Sequence, residues 1–97
     1  MTAKQFMKDE NYSDYFYYEK YGPFTFKIYA DTIWDNKNVF YIALDGTMDP
    51  LVKLFFDTNP MFKTQLQVNK YIKKELKRVE KEIKKELEKF KELHNES

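Results

Sequence analysis

The residues able to do chemistry are few, and their spacing argues against most reactions. In DGTMDP, Asp45, Thr47 and Asp49 place oxygen donors at alternate positions, as the start of a calcium loop does. An EF-hand also needs an internal glycine and a distal glutamate, and Pro50 interrupts the run, so the segment reads as a turn followed by a helix cap. His94 is the only histidine and stands in the last turn of a helical pattern, where a cation suits the helix dipole. A general base needs an ordered, partly desolvated position, which a chain end does not offer. Ser13 and Ser97 are the only serines, and neither has the flanking glycines of a nucleophile elbow. Gly22 and Gly46 are the only glycines, so there is no phosphate-cradling loop and no dinucleotide fingerprint. Asp31 and Asp45 are a conceivable carboxylate pair across strands, but nothing in the sequence sets the separation a hydrolase requires. The expectation is a protein that is not an enzyme and has no metal and no cofactor.

Without cysteine there is no disulfide, no thiolate and no thiolate zinc site. This absence and an N-terminus without an apolar core segment lead to a cytoplasmic expectation. No run approaches the length of a membrane span. The net charge is +1. Residues 1–59 carry six Lys against nine Asp or Glu, a net of −3, and residues 60–97 carry eleven Lys or Arg against seven Glu, a net of +4. That asymmetry is mild for a binder of phosphate backbones.

The elements that would position any site are legible as hydrophobic periods. Ninety-seven residues make one domain with a thin core. Thr2 and Gln5 form a capping-box pattern for a short helix near residues 3–9, within an N-terminal arm over 1–11. In FTFKIYAD, Phe24, Phe26, Ile28 and Ala30 alternate with Thr25, Lys27, Tyr29 and Asp31, the pattern of a half-buried strand. The ring-rich DYFYYEK before the Gly22–Pro23 turn and VFYIALDG after WDNKN should pair with it. The result is a three-stranded antiparallel meander over 14–20, 24–34 and 38–45, within residues 12–46. Phe16 and Tyr18 are assigned to its core face.

Asp49 before Pro50 reads as an N-cap with proline at N1, opening a short helix over 49–58, with a fourth strand at 51–57 as the competing reading. Asn59 before Pro60 repeats the device, so one long helix is expected over 60–95. The fold class is α+β, with that helix packing on the sheet and protruding from it. Its seam has Phe62, Asn69, Leu76, Ile83 and Phe90 at position a, and Gln65, Ile72, Val79, Glu86 and Leu93 at position d. At 1.5 Å per residue it spans about 50 Å, longer than a compact domain of this size. Phe62, Leu66, Ile72 and Leu76 are expected to cover the sheet. Val79, Ile83, Leu87, Phe90 and Leu93 are expected to protrude, and a protruding apolar stripe needs a partner.

These observations favour a protein-interaction or regulatory module that forms a homodimer through the helix seam and binds another protein. The Lys-, Asn-, Tyr- and Phe-rich usage fits a small phage- or mobile-element-type inhibitor. The outward rings of the sheet, Tyr15, Tyr17, Tyr29 and Tyr41, are the second candidate surface. Stacked on bases, with Lys20, Lys27 and Lys37 on phosphates, they would make a single-stranded nucleic-acid binder. Neighbouring Asp14, Glu19, Asp31 and Asp35 oppose that reading. A structural subunit of an assembly is the third.

Overall fold

The computed structural model describes residues 1–8 and 15–95, with the backbone alone described from residue 92 onward. In chain order the elements are α1 (Ala3–Lys8), β1 (Phe16–Tyr21), β2 (Phe24–Ile33), a 3-10 turn (Trp34–Asn36), β3 (Lys37–Ala43), α2 (Pro50–Phe55), β4 (Met61–Phe62) and α3 (Gln65–Asn95). The sheet is antiparallel with order β1-β2-β3-β4. The class is α+β as expected, but the sheet has four strands where the alternation predicts three.

The fourth strand lies inside the segment expected to be helical. Met61 and Phe62 pair with Tyr41 and Phe40, which turns the Phe62 ring towards the core. The long helix starts at Gln65, not at Pro60, because a second capping box outcompetes the Asn59–Pro60 signal. Thr64 Oγ1 accepts from Gln67 N at 3.2 Å, and Gln67 Oε1 accepts from Lys63 N and Thr64 N. Thr2 and Gln5 form the same reciprocal pair at the start of α1. The two boxes are joined by an isolated bridge between Thr2 and Thr64, with Ala3 N donating to Lys63 O and Gln65 N to Met1 O. Both helices therefore start from one corner of the sheet.

Turn chemistry sets the register of the hairpins. Gly22 has φ 59°, and Pro23 follows with its ring-fixed negative φ, the pattern of a two-residue type II′ turn. Tyr21 therefore sits opposite Phe24, and Tyr17 opposite Ile28. This places Tyr17 and Tyr21 on the core face and Phe16 and Tyr18 on the outer face, the reverse of the expected assignment for β1. Rings occupy both faces of β1, so its own alternation could not decide. At the other end of β2, Asp35 and Asn36 turn the chain at φ 63° and 58°, a region that Asp and Asn tolerate best after glycine.

The core is one cluster between the sheet and the helices. Phe26, Ile28, Phe40 and Ile42 meet Phe6 of α1, Val52 of α2, and Val68, Ile72 and Val79 of α3, with Met48 and Phe56 closing the side. Leu66, expected to cover the sheet, is 62% exposed, because the stripe of α3 that faces the sheet runs through Val68 and Ile72. Asn69, a fault in the predicted seam, has a structural partner: it accepts the Tyr21 hydroxyl at 2.6 Å.

The helix is too long for its own sheet. The molecule measures 59 × 23 × 19 Å with a radius of gyration of 16.6 Å, whereas a compact chain of this length would have about 13 Å.

Tyr17 Oη is buried without a hydrogen-bond partner among the described residues, although Gln65 is near enough to influence its ionisation. An unsatisfied buried hydroxyl costs about 1–3 kcal/mol. Tyr17→Phe should therefore raise the urea midpoint, by up to about 1 kcal/mol in stability once relaxation is allowed for. A drop of comparable size would mean that the hydroxyl is satisfied in solution.

Candidate interaction site: an apolar groove between two helices

The groove is built from α2 outward. Asp49 Oδ1 accepts from Leu51 N at 2.8 Å and Val52 N at 3.4 Å, and Pro50 occupies the first turn. That cap resolves the competing helix and strand readings of residues 51–57 in favour of helix over Pro50–Phe55. One face of this short helix anchors Val52 in the core; the other leaves Leu51 and Leu54 exposed.

The C-terminus of α2 is tied to α3 by Arg78. Its guanidinium donates to the Phe55 carbonyl at 2.5 Å and to the Glu75 carboxylate at 2.8 Å, and hydrogen bonding to Glu75 raises its pKa. The fork thus fills an orphan helix carbonyl and holds a fixed angle between two helices.

Along α3, burial decays in steps. Val68, Ile72 and Val79 are buried, Leu76 and Ile83 are half-buried, and Leu87 and Phe90 are 53% and 60% exposed. Where the sheet ends, α2 takes over as neighbour. Leu51, Leu54, Phe55, Ile83, Glu86, Leu87 and Phe90 line a groove of about 410 Å³. Six of its seven lining residues are Leu, Ile or Phe. Glu86 is the polar member, and its carboxylate lies 3.9 Å from Lys89 on its own helix.

The stripe named from sequence divides here. Val79 does not protrude; it is a core residue at 1% exposure. Ile83, Leu87 and Phe90 come together in the groove. The Leu93 side chain, and the residues around Tyr12, lie outside the described part. Sequence reasoning missed the contribution of α2. The signal was present in the spacing of Leu51, Leu54 and Phe55, which cannot all face the core beside Val52 and Phe56 on so short a helix.

The outer sheet face is the second predicted surface. Tyr29 and Tyr41 stack with ring centroids 5.5 Å apart and planes at 20°. Lys27 Nζ lies 4.2 Å from the Phe16 centroid and 4.9 Å from that of Tyr29, and 3.6 Å from Asp45 Oδ2. Its charge is thus committed within the chain. Asp45 is not placed against Asp31. It accepts from Thr47 N and Thr47 Oγ1, and the Thr47 hydroxyl first and Lys27 after it hold its carboxyl below the usual range. Tyr15, 45% exposed, borders this face at φ 51°. Tyr17 does not belong to it, for the register reason given above. Trp34, at the tip of the β2–β3 hairpin, is 91% exposed.

Three tyrosines packed against the core couple the fold to alkaline pH. Burial, and then the Glu19 carboxylate, pushes Tyr21 up to about 12; burial, and then Glu75 and Asp57, does the same for Tyr71, whose hydroxyl donates to the Asp57 carbonyl at 2.5 Å. Burial also raises Tyr17. A group with a raised folded pKa contributes stability that is fully present below its unfolded value near 10 and is lost as pH rises through the folded value. The urea midpoint should hold to about pH 10 and fall through pH 12. In Tyr71→Phe the fall should be shallower.

Among the described residues no cluster of three or more His, Cys, Asp or Glu side chains is placed to hold a metal ion, and no helix is long and apolar enough to cross a membrane. Fold and groove together define a small α+β module with an extended amphipathic helix. In comparison with known proteins, no family model, no curated protein and no solved structure matches the chain significantly.

Proposed function

We propose that the protein is a non-catalytic protein-interaction or regulatory module that self-associates through its helical end. One observation carries the reading: the apolar stripe of α3 continues without a break from the core into the groove lined by Leu51, Leu54, Phe55, Ile83, Leu87 and Phe90. A solvated tail gains nothing from Leu and Phe at those positions, whereas a docked helix buries them. The occupant that fits is a second copy. Residues 79–90 carry four Lys and four Glu, a net of zero, so two such segments approach without net repulsion. The same groove would serve an inhibitor or an assembly subunit, both of which act by occupying a partner.

The outer sheet face supports the nucleic-acid reading less well. Lys27, the cation nearest its rings, is held by Phe16, Tyr29 and Asp45, which leaves only Lys20 and Lys37 of the three expected lysines exposed on this face for a phosphate.

Light scattering or sedimentation of the full chain from about 1 µM to about 1 mM covers association free energies of about −8 to −4 kcal/mol. The apparent mass should rise from one chain to two within that range. A single-chain mass throughout would overturn the reading.

A further inference from the structure

We infer that the two copies pair antiparallel, with the two-fold axis crossing α3 between residues 85 and 86. This rests on the self-association reading above and adds the orientation that the charges select.

At 3.6 residues per turn, two rows of charged residues border the apolar stripe of α3. Glu80, Lys84 and Lys91 stand on one side, Glu82 and Lys89 on the other. All but the half-buried Glu82 are exposed. An antiparallel two-fold sets each border against its own copy running in the opposite sense. With the axis between residues 85 and 86, Glu82 meets Lys89 of the second copy and Glu80 meets Lys91. Each pair occurs twice by symmetry. The apolar positions interlock in the same register: Ile83 falls between Leu87 and Phe90 of the other copy, as knobs do in a helical pair.

A parallel pair sets the two borders against each other at the same height. Lys89 then lies beside Lys91, and Glu80 beside Glu82. Like charges at that spacing oppose pairing and opposite charges favour it. Glu86 lies close to the axis in the antiparallel case and faces its own copy in the parallel one, so it does not discriminate; Lys84 also meets its own copy near the antiparallel axis, one like pair against four opposite ones. Its carboxylate already leans to Lys89 within the same helix. The antiparallel arrangement also brings the exposed end of each α3 alongside Leu51 and Leu54 of the other copy, so that four helices close one apolar core.

The chain has no cysteine, so a single introduced cysteine carries a unique spin label. Lys73→Cys and Lys84→Cys lie on the same border of α3, both at exposed positions. Electron paramagnetic resonance on each full-length dimer reads the distance between labels. Antiparallel pairing puts the residue-84 labels about 10–15 Å apart and the residue-73 labels about 40 Å apart, from 1.5 Å of rise per residue on either side of the axis. Equal distances at both positions would mean a parallel pair and would overturn the inference while leaving self-association standing. Long distances at both would place the contact elsewhere and overturn it too. Absence of any dimer would remove both readings. The charge argument has its own readout. Glu82→Lys should weaken the dimer about tenfold, and adding Lys89→Glu should restore it in the antiparallel pair alone.

Discussion

Phe40→Ala is expected to cost about 3–5 kcal/mol and to bring the protein to the edge of unfolding. Phe40 is fully buried on the central strand β3, directly opposite Ala30 on one side and Phe62 on the other. Its ring lies edge-on to Phe6 at 5.6 Å and to Tyr17 at 5.8 Å. It is therefore where the sheet and α1 meet. Truncation removes the ring's transfer free energy and leaves a cavity. The backbone around it is held in two strand ladders and cannot collapse to fill that space. A domain of this size has a total stability of about 5–15 kcal/mol, so the loss takes a large share. Urea unfolding followed by circular dichroism should show a midpoint lowered by about 2 M, given slopes of about 1–3 kcal/mol/M. Tyr41→Ala, next in the chain but on the outer face, is the control. It loses the stack with Tyr29 and should cost about 0.5–1.5 kcal/mol. Equal losses at the two positions would contradict the placement of the core face of β3.

That the core face of β2 could be read in advance, and that of β1 could not, has a physical cause. Phe24, Phe26, Ile28 and Ala30 alternate with polar residues, so burial and period agree. In β1 both faces carry rings, and the information moved to the turn. Gly22 and Pro23 make a two-residue connection, and counting back from it puts Tyr21, Glu19 and Tyr17 on the face of Phe24 and Phe26. The outward set of tyrosines thus loses Tyr17 and gains Tyr18. The start of α3 was misread for a similar reason. Proline after asparagine is a helix-start signal, but Thr64 and Gln67 supply two reciprocal hydrogen bonds where Asn59 and Pro60 supply none of that kind. The five residues so released, 60–64, include the Met61–Phe62 strand. In the candidate site, Ile83, Leu87 and Phe90 follow from the period of α3. The share contributed by α2 depends on the Arg78 contact to the Phe55 carbonyl, a long-range bond that no local pattern announces.

Leu54→Lys and Leu87→Lys are expected to weaken self-association about a hundredfold and leave the fold intact. Leu54 is 71% exposed and Leu87 53%, so neither supports the monomer core. Lysine forms helices nearly as well as leucine, and surface changes of this kind stay within about ±0.5 kcal/mol of stability. In a two-fold pair each substitution occurs twice. Losing the burial of two half-exposed leucines costs about 2–3 kcal/mol, or roughly a hundredfold in the dissociation constant, before any cost of desolvating the new ammonium groups. The urea midpoint measured at low concentration should match that of the parent chain, while the concentration at which the mass doubles should move up by about two decades. Val79→Lys on the same stripe, about two turns nearer the sheet, should do the opposite. It buries a charge in the core at a site of 1% exposure and should unfold the chain. The contrast between Val79 and Leu87 tests the boundary between core and interface, which the structure draws across Ile83. If Leu87→Lys unfolds the protein as Val79→Lys does, the groove is part of the core, and the stripe has no surface left to offer a partner.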